Sequence, residues 1–358
     1  MALRHYLRPE AFVDTPVGND GQVARLAGGL LWHAAYELIA IDGSTIERRL
    51  VPVAEIDAVL ARLPDAARLQ EQRRRLAAPR AALQMGERTV RLDQPQVMGI
   101  LNMTPDSFSD GGQHGSDADA AASAGFEMAA AGAAMIDVGG ESTRPGATTV
   151  WEGDEISRVV PVVERLARQG TAVSIDTRKA AVMEAAVAAG ARLVNDVSAL
   201  GETRSAEVVA HVDCPVVLMH HMGDGLHDGR IEGDPLTTVY DWLEARVAAA
   251  VAAGIDRSRI LVDPGIGFGK RLSDNLALVN GIALFHALGC AVVLGASRKR
   301  VIGALDNEAP VERRLGGSVA LAMAGIARGV QIVRVHDVPE TVQAIRVWRG
   351  LRDAAITA

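Results

Sequence analysis

A short apolar run that ends in a polar residue or a glycine recurs along most of this chain. The runs span residues 97–101, 134–138, 172–175, 192–194, 215–219, 260–262, 291–294 and 330–333. Most are followed by an alanine-rich stretch with helical periodicity. Continuous rather than alternating hydrophobicity is typical of strands covered on both faces, as in parallel sheets. Eight such units joined by helices predict an α/β fold, a (β/α)8 TIM barrel, with its active site at the C-terminal strand ends.

Glycines stand just before most of these runs, where the preceding helix would end. They are Gly132, Gly170, Gly190, Gly254, Gly289 and Gly329. Glycine adopts the left-handed helix-ending conformation without a Cβ penalty, so each is expected to terminate a helix. The helices are predicted over residues 117–131, 152–168, 179–189, 236–253, 274–288, 313–328 and 339–352.

The chain has 358 residues, about a hundred more than a single barrel needs, and the surplus lies at the N-terminus. We predict a small α+β extension over residues 1–80 and a barrel over residues 81–358. A strand over 30–41 and a helix over 56–63 are expected in the extension. Residues 68–80 are basic, and a solvated helix face or linker is favoured over an anion-binding patch because Glu71 and alanines accompany the arginines. The role of the extension as a whole remains open: it could be a packing cap, an oligomer contact or a partner surface.

Composition restricts the class of protein. The net charge of -7 gives no general basic field, which disfavours nonspecific binding to nucleic acid or to an anionic membrane. The two cysteines, Cys214 and Cys290, suggest neither a disulfide framework nor a thiolate metal site. The N-terminus lacks the apolar core of a signal peptide, and no run is long enough to span a bilayer. A soluble, cytoplasmic protein is therefore expected.

Polar residues cluster at the predicted strand ends. The blocks are Asn102 to Gly112, Gly139 to Ala147, Ser174 to Arg178, Asn195-Asp196, Asp263 to Lys270, Ser297-Arg298-Lys299 and Arg334 to Asp337. The order and content of these blocks resemble the dihydropteroate synthase family, from about Gly86 to near the C-terminus. The first 80 or so residues are outside the resemblance.

The resemblance implies condensation of 6-hydroxymethyl-7,8-dihydropterin diphosphate with p-aminobenzoate to 7,8-dihydropteroate and pyrophosphate. It assigns the pterin to Asp176, Asn195, Asp263 and Lys299, and the diphosphate to Asn102, Arg334 and His336. By the same resemblance, the residues expected to be catalytic are Asp176, Lys299, Arg334 and His336. Asn102 is the expected protein ligand of Mg²⁺, whose preference for oxygen ligands fits an amide carbonyl.

The resemblance also assigns aminobenzoate binding to residues of the mouth and its loops. They are Phe108, Thr143, Arg144, Pro145, Phe268 and Ser297. It implies further a homodimer and inhibition by sulfonamides. The chain departs from the family pattern at Met219-His220-His221-Met222, where His221 is additional and is expected to alter one side of the pterin pocket.

Two other functions stay open on the sequence. A pterin-binding methyltransferase barrel shares the fold and the acids for the pterin edge, and a noncatalytic paralogue could bind pterin alone. Ser297-Arg298-Lys299 and Arg334-Val335-His336, which suit aminobenzoate and diphosphate, favour the synthase.

Overall fold

The computed structural model describes residues 3–103, 118–142, 148–222 and 231–357. The strands in this part of the chain, in order, are β1 (Arg4–Val13), β2 (Ala24–Arg25), β3 (Trp32–Asp42), β4 (Thr45–Pro52), β5 (Leu83–Met85), β6 (Arg88–Val90), β7 (Gln96–Asn102), β8 (Met135–Gly139), β9 (Val173–Asp176), β10 (Leu193–Asp196), β11 (Val216–Met219), β12 (Ile260–Asp263), β13 (Ala291–Leu294) and β14 (Ile332–Val335). Strands β7 to β14 form a closed parallel barrel, with β14 pairing with β7. The predicted barrel is confirmed.

The helices of the described residues are α1 (Ile56–Leu60), α2 (Ala66–Ala77), α3 (Ala118–Ala131), α4 (Glu152–Arg168), α5 (Ala180–Ala189), α6 (Ser205–His211), α7 (Pro235–Ala252), α8 (Leu272–Asn280), α9 (Arg300–Leu305), α10 (Leu315–Ile326) and α11 (Val338–Thr357). The short helices α6 and α9 were not predicted. The helix predicted over 274–288 divides at Gly281, after which Ile282–Leu288 is a 3-10 helix. All six helix-ending glycines have positive φ; at Gly190, which caps α5, φ is 118°.

Side chains alternate between the two faces of the barrel wall. Inward residues form one apolar cluster, which includes Met98, Met135, Ala172, Leu193, Val217, Leu261, Val293 and Ile332. Residues between them, such as Val97, Ile136 and Val194, belong to a separate cluster with the helices. Both faces are therefore covered, which explains the continuous hydrophobicity of these strands.

A hairpin closes the N-terminal end of the barrel. Strands β5 and β6 pair antiparallel, and Leu83, Met85, Val90 and Leu92 belong to the same apolar cluster as the barrel interior. The hydrophobic plug leaves the opposite end, where the strands finish in polar residues, as the open mouth.

The N-terminal extension is an antiparallel sheet in which β3 pairs with β1 on one side and with β2 and β4 on the other. It packs on the outside of the barrel against α7 and Ile282–Leu288. The Tyr6 hydroxyl donates to Asp241 at 2.8 Å, and Arg80 donates to the carbonyls of His286 at 2.8 Å and Cys290 at 3.0 Å.

The basic stretch over 68–80 is largely helix α2, as expected. Arg74 and Arg75 pair with Glu71, whereas Arg80 is turned into the interface with the barrel. No helix among the described residues is both long and apolar enough to cross a membrane.

Candidate active site

Four residues form a row across adjacent strands at the barrel mouth. Asn102 is opposite Gly139, Gly139 is opposite Asp176, and Asp176 is opposite Asn195 in the strand register. Asp176 and Asn195 each lie an even number of positions after an inward apolar residue, so their side chains face the interior. A Cβ on Gly139 would lie 3.5 Å from Asn102 Oδ1 and 3.6 Å from Asp176 Oδ2. The glycine thus leaves open the space between the two predicted site residues.

Arg334 connects this row to a carboxylate deeper in the barrel. Its Nη2 donates to Asp176 Oδ2 at 2.6 Å, and its Nε donates to Asp137 Oδ2 at 2.6 Å. Asn195 Nδ2 donates to the same Asp137 oxygen at 2.9 Å. Asp137 is fully buried, and sequence reasoning did not assign it a role.

The sequence does contain a pattern that could have identified Asp137 as a site residue. It is the charged residue of a strand that otherwise reads Met135-Ile136-Val138-Gly139, and it stands two positions after inward Met135. A charge buried inside a barrel must have partners. Period-two counting from the apolar layer would have identified it as a member of the site.

On the other side of the mouth, Asp263 and Lys299 border the same open space. A Cβ on Gly295 would lie 3.4 Å from Asp263 Oδ2 and 3.9 Å from Lys299 Nζ. Lys299 Nζ donates to the Ile266 carbonyl at 2.5 Å and lies 4.1 Å from the centre of the Phe268 ring. The predicted pterin and aminobenzoate residues are therefore contiguous here.

The seventh and eighth barrel strands are joined at the mouth by two contacts. Ser297 Oγ lies 3.0 Å from His336 Nδ1 and accepts the His336 main-chain N–H at 3.2 Å. Arg298, whose φ is 57°, turns away from these residues and forms an ion pair with Asp337. The left-handed backbone at Arg298 lets Ser297 and Lys299 on either side of it both reach site residues.

Burial changes the protonation of these groups. Desolvation raises the pKa of Asp176 to about 7, against the opposing effect of Arg334, and it also raises the pKa of Asp263. Burial lowers the pKa of Lys299 to about 8, although the nearby carboxylate of Asp263 favours its charged form. The carboxylates of Asp137 and Asp176 raise the pKa of Arg334 despite its burial. Asp176 Oδ1 is buried and, within the described part of the chain, has no hydrogen-bond partner.

The loop after β12 is held by Lys270, which sequence reasoning also left without a role. Its buried Nζ donates to the carbonyls of Gly265 at 2.7 Å, His220 at 3.0 Å and Phe268 at 3.3 Å. This fixes Phe268 relative to Lys299. A lysine at the end of the glycine-rich stretch Gly265-Ile266-Gly267-Phe268-Gly269 was the available signal, since such a loop leaves many carbonyls to be satisfied.

The two histidines after β11 pack against one aromatic side chain. The rings of His220 and His221 lie 4.8 Å and 6.2 Å from Trp242, both edge to face. His220 is buried, which lowers its pKa to about 3 and keeps it neutral. The additional His221 thus packs against α7 just after the end of β11.

Several predicted residues lie outside the described part of the chain. These are Phe108, Thr143, Arg144 and Pro145, together with residues 104–112 of the polar block that begins at Asn102. Of the residues predicted to bind aminobenzoate, Phe268 and Ser297 lie within the described part of the chain.

The residues at the mouth are compatible with a metal that arrives with a substrate. Among the described residues, no three acidic, histidine or cysteine side chains are grouped so that they could hold a metal ion. Asn102 offers one half-buried amide oxygen beside Gly139. In many sites Mg²⁺ is coordinated mainly by phosphate oxygens and waters, so a single oxygen ligand from the protein is sufficient.

Comparison with known proteins identifies the family. Residues 98–336 match the pterin binding enzyme family. The dihydropteroate synthase of Escherichia coli (strain K12) is 45% identical over 259 residues, covering 72% of this chain and 91% of that protein. A solved Xanthomonas albilineans dihydropteroate synthase with 4-aminobenzoic acid is 46% identical, with a TM-score of 0.73, over 76% of this chain and 98% of that one. The Yersinia pestis dihydropteroate synthase, solved with a sulfonamide drug, is 43% identical and has a TM-score of 0.72. The match covers 76% of this chain and 99% of that one. This chain belongs to the dihydropteroate synthase family of pterin binding enzymes.

Proposed function

We propose that this chain condenses 6-hydroxymethyl-7,8-dihydropterin diphosphate with p-aminobenzoate to give 7,8-dihydropteroate and pyrophosphate. The observation that carries the proposal is the group of buried acceptors at the barrel mouth. Asp176, Asn195 and Asp263 are each at most 9% exposed, and Asp176 Oδ1 has no hydrogen-bond partner among the described residues. A pterin edge presents amino and ring N–H donors, and hydrogen bonds from these donors would offset the cost of burying the carboxylates.

Arg334, His336 and Asn102 are proposed to bind the diphosphate. Arginine and a ring N–H suit phosphate oxygens, and both side chains belong to the last barrel strand or its end. Asn102 is proposed to hold Mg²⁺ together with the diphosphate; the bound ion would neutralise charge on the leaving group.

In the proposed reaction the bond between the pterin methylene carbon and the diphosphate oxygen breaks, and its electron pair leaves with pyrophosphate. The amine nitrogen of aminobenzoate forms the new bond to this carbon and releases a proton to solvent. Arg334 and His336 stabilise charge that develops on the leaving oxygen, and Lys299 and Asp263 hold the ring. Because a neutral aromatic amine attacks, no strong base is required.

Phe268 and Ser297 are proposed to contact the aminobenzoate, together with Phe108, Thr143, Arg144 and Pro145. Phe268 offers an apolar face and already lies under the Lys299 ammonium. Ser297 offers a hydroxyl beside His336, which is proposed to bind the leaving group.

The reaction is tested by measuring pyrophosphate release from the pterin diphosphate with and without aminobenzoate. We expect release only when both compounds are present. A methyltransferase would release no pyrophosphate under either condition, and a noncatalytic paralogue would bind the pterin without turnover. Either result would contradict the proposal.

Inhibition by sulfonamides provides a second test. A sulfonamide that occupies the aminobenzoate position should raise the KM for aminobenzoate and leave kcat unchanged. Initial rates at several sulfonamide concentrations measure this, and a KM that is independent of sulfonamide would argue against the assignment of Phe268 and Ser297.

We further propose a cytoplasmic homodimer in which residues 1–80 form a unit distinct from the barrel of residues 81–358. The internal sheet of β1 to β4 supports the division, whereas the dimer rests on the family alone. Neither nucleic acid nor a membrane is proposed as a partner. Sedimentation equilibrium of the full chain measures the assembly state, and a monomer at micromolar concentration would contradict the dimer.

A further inference from the structure

Asp137 lies beneath the mouth and contacts two residues that the proposed function uses. Its Oδ2 accepts from Asn195 Nδ2 at 2.9 Å and from Arg334 Nε at 2.6 Å. Its side chain is fully buried. A ligand at the mouth would meet Asn195 and Arg334, whereas Asp137 stands behind them.

The contact with Asn195 decides which end of an amide is presented to the ligand. An asparagine amide carries a donor end and an acceptor end, and its neighbours select the orientation. An ionised carboxylate can only accept, so it engages Nδ2 and leaves Oδ1 for the ligand. The pterin edge consists largely of N–H donors, which require this acceptor.

The contact with Arg334 fixes a guanidinium between two carboxylates. Asp137 binds Nε while Asp176 binds Nη2 at 2.6 Å, so two directions of the planar group are set. Without the charge of Asp137, Arg334 would be drawn towards Asp176 alone. It would then compete more strongly with the pterin for that carboxylate.

We propose that Asp137 is a positioning residue that sets the acceptor orientation of Asn195 towards the pterin and the location of Arg334 towards the diphosphate. This inference rests on the proposed function. It adds a residue behind those that contact the substrate, and it makes pterin affinity depend on a carboxylate that the ligand does not reach.

The test measures the Kd of pterin diphosphate by calorimetry for the full chain and its variants. Asp137→Asn should weaken binding at least tenfold, because an amide at position 137 can donate as well as accept and no longer selects one orientation of Asn195. Asn195→Asp should also weaken binding, since two carboxylates then face each other. The double variant, Asp137→Asn with Asn195→Asp, restores one donor and one acceptor and should bind at least tenfold more tightly than Asn195→Asp alone.

Asp196→Asn is the matched control. Asp196 is also a buried aspartate at a strand end, but its oxygens accept from Ser198 and Leu200 of its own turn. This variant should lose thermal stability while its Kd stays within about twofold of the native value. An unchanged Kd in Asp137→Asn, or additive losses in the double variant, would overturn the inference.

A variant that leaves Asp137 intact keeps the inference testable if Asp137→Asn does not fold. An acidic side chain at position 195 would normally bind N–H donors better than alanine. Because Asp137 faces it, Asn195→Asp should bind no more tightly than Asn195→Ala, and tighter binding would refute the positioning role. If the native chain releases pyrophosphate and Asp137→Asn binds pterin diphosphate with an unchanged Kd, this inference alone is rejected. If the native chain releases no pyrophosphate, the proposed function is rejected.

Discussion

At the scale of single residues, the mouth is built from charges that are costly to bury and therefore constrain one another. Asp176 is held by Arg334, Arg334 by Asp137, and Lys299 by the Ile266 carbonyl. Each contact offsets part of the free-energy cost of desolvating the two groups, and it leaves specific atoms available to a ligand. Changes at these residues should consequently affect folding stability as well as ligand affinity.

Replacing Asp176 by alanine should weaken binding of the pterin diphosphate. The variant removes an acceptor from a buried edge and leaves ligand donors unpaired, which costs about 2 kcal/mol or more. Calorimetry would register this as a rise in Kd of about 30-fold. Asp213→Ala, at an exposed aspartate before β11 at the other end of the barrel, should leave Kd unchanged. An unaltered Kd in Asp176→Ala would remove this residue from the site.

The pKa of Lys299 leads to a prediction on pH. Burial lowers this pKa to about 8, so the ammonium is present below pH 8 and is lost as the pH rises through that value. We expect kcat/KM for pterin diphosphate to fall above about pH 8. Lys299→Arg keeps its charge at every such pH, so it should lack this alkaline limb even if its activity is lower. A native profile that stays flat to pH 10 would contradict the assignment.

At the scale of elements, the loop after β12 packs closely against the neighbouring strand end. Gly265 has φ of 69°, and a Cβ on it would lie 1.8 Å from the His220 carbonyl oxygen. The loop therefore passes directly against the end of β11. Lys270 then satisfies the carbonyls that this close approach leaves inside.

Gly265→Ala should disrupt both stability and activity, because the loop must move away from His220 and carry Phe268 with it. Gly170 provides a matched control: its φ is 70°, and a Cβ there meets no atom within 4 Å. Gly170→Ala should cost only the backbone strain, about 1–2 kcal/mol, with kcat/KM retained. Urea denaturation and steady-state kinetics on both variants separate the effects. Equal losses in the two variants would show that close approach is unimportant.

At the scale of the whole molecule, the N-terminal extension braces the outer wall of the barrel. Arg80 donates to the His286 and Cys290 carbonyls just before β13, the strand that leads to Lys299. Burial lowers the pKa of Arg80 to about 10, so it remains charged at neutral pH. The extension is thus hydrogen-bonded to the segment that leads into β13, at the end of the barrel opposite the mouth.

Arg80→Ala should lower the free energy of unfolding by about 1–3 kcal/mol, since it leaves buried carbonyls without their donor. Thermal denaturation measures the change. Arg74→Ala removes an exposed arginine that pairs with Glu71 of the same helix, and little change is expected. If both variants unfold at the native temperature, the brace does not contribute to stability.

The sequence by itself determined the barrel and most of the residues at its mouth. Apolar runs that end in polar residues require buried parallel strands, and parallel strands place all their C-terminal ends on one rim. Asn102, Asp176, Asn195 and Asp263 were predictable for this reason, and glycine marked where helices end because few other residues adopt positive φ.

Only the tertiary structure decided which of these residues contact each other and what stands behind them. The convergence of Asn195 and Arg334 on Asp137 joins three strands that are far apart in the chain. The roles of Lys270 and Arg80 also depend on carbonyls that are distant in the sequence, those of His220 and His286. Local periodicity specifies which face a side chain occupies, whereas its partners depend on the barrel's closure and on packing between elements, which no local pattern encodes.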